Sequence, residues 1–391
     1  MSNGDTAKKP SESSGFSSQG LSADCFSPTS RPHISKIDLS SVKRILIVRL
    51  RSIGDTVLVT PTLTALRRAF PDAQIDILLE DWVAPLLDDF EAVDNVISVG
   101  KGAAERLKTA LALRKTGYDV AINMHGGTTA TFFTFATGAR HRIGFADYQY
   151  PFLYTDLLSS SADFWGRKPT HSAEQQLALI GFIGIPVDDP PKTSLAVTEK
   201  ALTQINGKLT TETQTRRESK AETRPVGSVS QQKFVLIHPV AAFAEKQWAT
   251  EKFASIAEFL AEKGLQAVAV ATKSESHILD ALKTASKVSI ITFNDLTLPE
   301  ITALASRASL FVGNDSGIAH IASAVRTPSV VIFGSSNIDH WRPWTDAPNE
   351  IVYSNKPCNH YKGETNKGLP DPKCIECVDV AMVIDAIDQV F

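Results

Sequence analysis

Two series of short apolar runs, rich in Val, Ile and Leu and without strict polar alternation, restrict this chain more than any other feature. The first comprises "RILIVRL" (44–50), "IDILL" (75–79), "NVISV" (95–99), "YDVAINM" (118–124) and "HRIGF" (141–145). The second comprises "FVLIH" (234–238), "AVAVA" (267–271), "VSIITF" (288–293), "SLFVG" (309–313) and "SVVIFG" (329–334). Continuous apolar character suits parallel strands covered on both faces, and the helical patterns between runs suit right-handed crossovers. The expected fold class is therefore α/β, with two doubly wound domains. In such sheets ligands bind beyond the C-terminal strand ends, so function is expected in the loops after residues 50, 124, 238, 313 and 334.

Helix signals support this rhythm. Phe253, Ile256, Ala257 and Leu260 share one helical face that stops at Gly264, a residue suited to the left-handed C-terminal position. In "TLPEI", Thr297 is placed to cap while Pro299 and Glu300 occupy the first turn, Glu300 at capping-box spacing. Between the two series, residues 199–232 are polar and read as a linker or surface insertion. The expected organisation is a disordered Ser-, Gly- and Pro-rich tail at 1–40, an N-terminal domain at 41–198, the linker, and a C-terminal domain at 233–391 ending in a helix.

The 40 basic and 43 acidic residues are spread along the chain and give a net charge of -3, which provides no bulk attraction for nucleic acid. No apolar run approaches the roughly 20 residues needed to cross a bilayer. The N-terminus lacks a secretory apolar segment, so a cytoplasmic location is expected. Four cysteines are too few and too unevenly placed for a secreted disulfide framework. Cys358, His360, Cys374 and Cys377 offer zinc-ligand chemistry, but their spacing fits no established zinc pattern, and reduced thiols in a surface loop are expected instead.

Four loops carry candidate chemistry. After the first run, Gly54 permits a sharp turn and Asp55 stands where a helix begins; it reads either as an N-cap or as a carboxylate able to take a proton from an acceptor hydroxyl. After the sixth run, Lys246 precedes a helix, either as a surface lysine or as a cation for phosphate oxygens. In "GNDSGIAH", Asp315, Ser316 and Gly317 form a strand-to-helix turn whose free amides attract anions, with His320 one turn inside; capping and burial are the competing readings. Finally, "INMHGG" ends a strand with His125 before a flexible glycine pair. Neither half has a GxGxxG after its first strand, and HExxH, P-loop and nucleophile-elbow motifs are absent, which disfavours an oxidoreductase, metalloprotease, P-loop kinase or α/β-hydrolase.

Taken in order, "ILIVRLRSIGDTVLVTPTLTALRRAFP", "YDVAINMHGG", "ARHRIGF", "HPVAAFAEKQW" and "GNDSGIAHIASAVRTPSVVIFGSSN" resemble the bacterial heptosyltransferases of lipopolysaccharide core synthesis, from about residue 43 to the C-terminus. The resemblance implies a GT-B architecture, two Rossmann-like domains facing across a cleft, with acceptor in the N-terminal half and nucleotide sugar in the C-terminal half. It implies heptose transfer from ADP-heptose to a lipid A and Kdo acceptor or an already heptosylated core. Transfer would proceed with inversion, without metal or other cofactor, and with transient contact at the inner membrane. By position, Asp55 matches the general base and Lys246 the lysine that steadies the leaving diphosphate. Asp315 matches the residue contacting the donor sugar, Ser316 and Gly317 the phosphate-binding turn, and His320 the histidine of the following helix; Gly54 and His125 fall on the acceptor side. The chain departs from the family at Pro239–Phe243, where a glycine and small hydroxyl residues are usual. That departure leaves a donor other than ADP-heptose, or a sugar-nucleotide-binding protein without turnover, as the alternative.

Overall fold

The structure, a computed structural model, describes residues 37–168, 170–220, 233–356 and 374–391, with the backbone alone for 213–220. Strands β1 (Arg44–Leu50), β2 (Gln74–Glu80), β3 (Asn95–Val99), β4 (Val120–Asn123), β5 (His141–Phe145) and β6 (Asp156–Leu158) form one parallel sheet, ordered β3-β2-β1-β4-β5-β6. Strands β7 (Phe234–His238), β8 (Gln266–Val270), β9 (Ile291–Phe293), β10 (Leu310–Asn314), β11 (Ser329–Ile332) and β12 (Asn349–Val352) form the other, ordered β9-β8-β7-β10-β11-β12. The two sheets share one winding. In each, the order reverses beside the first strand, between β1 and β4 and between β7 and β10, and a crevice opens at that point.

Double-sided burial explains the unbroken apolar runs. Along β1, Ile45 and Ile47 join one core cluster while Leu46 and Val48 join another. Along β7, Phe234 and Leu236 point into a cluster distinct from that of Val235 and Ile237. The edge strands β6 and β12 escaped the sequence reading because both are short and only partly buried, so neither needs an apolar run. The capping box at Thr297 and Glu300 forms as expected, and Gly264 takes φ 78°.

One expectation is corrected. Most of the stretch read as a linker is a helix, Glu199–Lys220. Its polar composition hides a narrow stripe: Ala201, Ile205 and Leu209 recur at helical spacing and are buried, and the helix packs on the Leu298–Arg307 helix of the C-terminal half. Lys208 Nζ lies 2.9 Å from Glu300 Oε1. Residues 221–232, like the 1–36 portion of the expected tail, lie outside the described residues.

The described residues belong to one compact unit. Its two halves meet most closely where the short helix Ile53–Leu58, after β1, packs on the helix Gly317–Ala324, after β10. Glycine is required on both sides. A Cβ on Gly317 would stand 2.7 Å from Ile53 Cβ and 3.3 Å from the Gly54 nitrogen, and one on Gly54 would stand 2.8 Å from His320 Cδ2. A second seam joins the 170–193 segment to the 340–344 loop: His171 Nε2 is 2.8 Å from the Arg342 carbonyl, and the Thr193 amide donates to the Trp344 carbonyl at 3.0 Å.

Gly317→Ala is expected to destabilise the protein by about 1–3 kcal/mol, because backbone and a branched side chain must both give way. Gly207→Ala, in the middle of the Glu199–Lys220 helix with nothing within 4 Å of the added methyl, is expected to be neutral or to stabilise by about 0.5–1 kcal/mol. Chemical denaturation of the two variants checks this, and equal effects would contradict the close contact.

Candidate active site

The β1 exit is a forced turn. Leu50 and Ser52 hold φ of 61° and 83°, a region L-residues avoid at a cost of about 1–3 kcal/mol each, and strain of this kind is concentrated at functional sites. Ser52 stands at the N-cap position without a side-chain cap bond, so Asp55 falls within the first turn of the Ile53–Leu58 helix. The N-cap reading of Asp55 is therefore corrected. Its carboxylate turns instead to Arg49, whose Nη2 lies 2.5 Å from Asp55 Oδ1. Arg49 is buried in β1, and its other terminal nitrogen donates to the Met124 carbonyl at the end of β4. An arginine inside a strand core thus ties the carboxylate to the switch point of the first sheet.

The second sheet carries the complementary half. Lys246 ends a 3-10 turn after β7, and its Nζ lies 3.1 Å from Asp315 Oδ2, just after β10. Ser336 Oγ donates to the same oxygen at 2.5 Å. Ser316 occupies the N-cap position of the Gly317–Ala324 helix, but its hydroxyl meets His238 Nδ1 at 3.1 Å rather than capping. The helix's first turn therefore has no side-chain cap, which leaves its amides and dipole for an anionic group. Asn314, buried at the end of β10, accepts from the Trp248 amide at 3.1 Å and so fixes the loop that carries Lys246.

These residues surround a cavity of about 370 Å³ between the two halves, lined by Asp55, Lys246, Asp315, Ser316, Gly317 and His320 among others. Val240, Ala241 and Ala242 of the unusual 239–243 loop form part of its wall. A smaller cavity of about 150 Å³ lies on the N-terminal side, lined by Arg49, Asp55, His125, Tyr148, Gln175, Gln176 and neighbours. Asp55 and Trp341 line both. Of the residues singled out in the sequence, only His125 is away from the larger cavity. Gly54, expected on the acceptor side, lines the larger cavity at the contact with His320 and Gly317.

Burial holds the site's histidines neutral. It pushes His125 down to about 4, aided by Arg49 and Arg51 against Asp55 and Glu80, and it pushes His238 down to about 4 as well. His320 is lowered by burial and by Lys246, against the pull of Asp315 and Asp55. At the seam, burial also pushes His171 down to about 4, although its bond to the Arg342 carbonyl opposes this.

Arg49, Ser336, His238 and Trp341 were missed by sequence reasoning. Arg49, a charge inside an apolar strand run, carried a signal that could have found it, and His238 and Ser336 stand at strand ends where ligands were expected. Among the described residues no group of three or more His, Cys, Asp or Glu is arranged to hold a metal ion. Cys374 is buried and Cys377 half-buried, while Cys358 and His360 lie outside the described residues.

The sequence profile of glycosyltransferase family 9 (heptosyltransferase) matches residues 106–369, more than half of the chain. The chain belongs to this family. It is 28% identical to lipopolysaccharide heptosyltransferase 3 of Escherichia coli K12 over 227 residues, 56% of this chain and 60% of that relative. The match therefore spans less than two thirds of the relative's length. Among solved structures, a family 9 glycosyltransferase from Veillonella parvula superposes with TM-score 0.72 at 20% identity, covering 89% of this chain and 97% of that one. The E. coli ADP-heptose lipopolysaccharide heptosyltransferase II superposes with TM-score 0.68 at 20% identity, covering 89% and 98%. The GT-B architecture is thus the fold of this chain. Asp55 stands outside the span matched by the family profile, so the profile says nothing of its role.

The three histidines at about 4 titrate near 6.5 in an unfolded chain. Between those values the unfolded state binds more protons, so stability is full above about pH 6.5 and falls as pH drops through the window. Melting temperature is expected to decline steadily from about pH 6.5 to pH 5, above the ordinary carboxylate range. A flat profile would contradict neutral, buried imidazoles.

Proposed function

We propose that this family 9 member is an inverting glycosyltransferase that moves heptose from ADP-heptose to the inner core (Kdo or heptose) of lipopolysaccharide or a related glycolipid, without a catalytic metal or other cofactor. The observation that carries the reading is the position of Asp55. It borders both cavities and faces Lys246 and Asp315 from the opposite half. The names of the E. coli relative and of the heptosyltransferase II structure support the donor and the acceptor class.

The chemistry follows from that placement. The acceptor hydroxyl enters from the smaller cavity and its oxygen bonds to the anomeric carbon as the bond from that carbon to the β-phosphate oxygen breaks. The hydroxyl proton goes to Asp55, and the bonding electron pair leaves with ADP. Positive charge develops on the sugar and negative charge on the diphosphate, so an aligned base and a fixed cation lower the barrier together. Lys246 and the uncapped amides of the Gly317–Ala324 helix receive the diphosphate charge, with Ser316 and Gly317 beneath it. Asp315, held by Lys246 and Ser336, contacts the donor sugar. His320 closes the wall against Gly54.

An amphiphilic acceptor also calls for transient contact with an anionic membrane surface. The Ala103–Thr116 helix carries Arg106, Lys108, Arg114 and Lys115 against Glu105 alone, and exposes Leu107 and Leu111. It packs on the Gly127–Ala136 helix, which exposes Phe132 and Phe135, while the nearby 150–152 turn exposes Tyr150 and Phe152. Exposed apolar side chains beside a cationic helix suit an anionic bilayer. Among the described residues no helix is long and apolar enough to cross a membrane.

Asp55→Ala is expected to lower acceptor-dependent ADP release by about 10²–10⁴-fold while leaving ADP binding, read by thermal shift, within a few fold. EDTA is expected to change neither. Donor binding without release on any glycolipid acceptor would favour the alternative, a sugar-nucleotide-binding protein in which the 239–243 loop no longer supports turnover. In flotation assays Phe132→Ser with Phe152→Ser should reduce binding to anionic vesicles and leave turnover of a deacylated acceptor unchanged. Full vesicle binding by that variant would remove this surface from the account.

A further inference from the structure

The smaller cavity has an unmet demand for hydrogen bonds. Three side-chain atoms at its wall are buried without a partner: Arg49 Nε, His125 Nδ1 and Gln176 Oε1. Arg49 and Gln176 are 7% and 5% exposed, so solvent does not answer for them. Leaving a polar atom buried and unpaired is costly, and a ligand that pairs all three recovers that cost on binding.

We propose that this cavity seats the reacting sugar of the acceptor and selects an uncharged, hydroxyl-rich sugar over one bearing a carboxylate. The inference rests on the transferase reading above and narrows it. Arg49 Nε is a donor and Gln176 Oε1 an acceptor, while His125 Nδ1 takes either role according to tautomer. Sugar hydroxyls both donate and accept, so one polyol ring meets the mixed set. A carboxylate only accepts, and against Gln176 Oε1 it places two acceptors face to face.

Charge points the same way. The Arg49 guanidinium already meets Asp55 and the Met124 carbonyl. Around His125 stand two cations, Arg49 and Arg51, and two carboxylates, Asp55 and Glu80, while burial keeps the imidazole itself neutral. An entering carboxylate would compete with Asp55 for Arg49 and would lie beside Asp55, the carboxylate assigned as base. Desolvating an anion without a new partner is costly, whereas a neutral ring avoids that cost.

The test uses the full chain with ADP-heptose and two deacylated acceptors of equal length, one ending in heptose and the other in Kdo, an acidic sugar. The heptose-ended acceptor is expected to have kcat/KM about 100-fold higher. Gln176→Leu is expected to raise KM for that acceptor about tenfold and to leave KM for ADP-heptose unchanged. His125→Gln, which retains a donor and an acceptor, should lose less. Should Gln176→Leu fail to fold, the acceptor comparison on the unmodified chain decides alone. Equal or better use of the acidic acceptor overturns the selection and leaves the transferase reading standing. No ADP release with either acceptor overturns both.

Discussion

The contact between the Ile53–Leu58 and Gly317–Ala324 helices sets the geometry on which the rest of the molecule depends. Each helix springs from the switch-point side of its own sheet, one after β1 and the other after β10. Their approach is limited by what stands at Gly54 and Gly317, and glycine at both lets backbone meet backbone. The same helix starts carry the candidate site residues. Asp55 lies one residue beyond Gly54, and Asp315 and Ser316 immediately precede Gly317. Close packing of the halves therefore also aligns the proposed base with the proposed donor floor.

Each half prepares its carboxylate differently. Asp55 is held from beneath by Arg49, a buried group anchored to β4, so its position is set by the N-terminal sheet. Asp315 is held by Lys246, reaching over from the loop after β7, and by Ser336. Breaking such partly buried pairs leaves an uncompensated charge, which is why truncation of one member generally costs more than the pair contributes. Lys246 sits on a loop whose only regular element is a 3-10 turn, secured by the bond from the Trp248 amide to Asn314. An ion pair on a loop is suited to exchange Asp315 for an incoming diphosphate, whereas the strand-borne Arg49 is suited to stay in place.

Much of the fold was legible because double-sided burial writes itself into sequence as unbroken Val, Ile and Leu runs. β1, β3, β5 and β7 fall at the expected boundaries. The edge strands β6 and β12 were not legible, since DLL and NEIV hold only two consecutive apolar residues each, whereas the edge strand β3 keeps the run NVISV. The helical character of Glu199–Lys220, read as a polar linker or insertion, was not legible because a stripe one residue wide is outweighed by its polar flanks. At the site, Asp55, Lys246, Asp315, Ser316, Gly317 and His320 could be named from loop positions and resemblance, and all six line one cavity. Their partners could not. His238 and Ser336 stand at strand ends where function was expected, yet their pairing with Ser316 and Asp315, like the arrival of Trp341, is set by tertiary packing. Asn314, unexplained in sequence, acquires a role only when the loop it anchors is seen beside it.

In the proposed reaction a base from one half drives a single displacement on a donor held by the other. That step is tested most directly by the anomeric configuration of the product. NMR of the glycosidic linkage formed from ADP-heptose of defined anomeric configuration should show that configuration inverted, since attack from the Asp55 side proceeds opposite the departing diphosphate. Retained configuration would require a covalent or same-face route and would contradict the role assigned to Asp55.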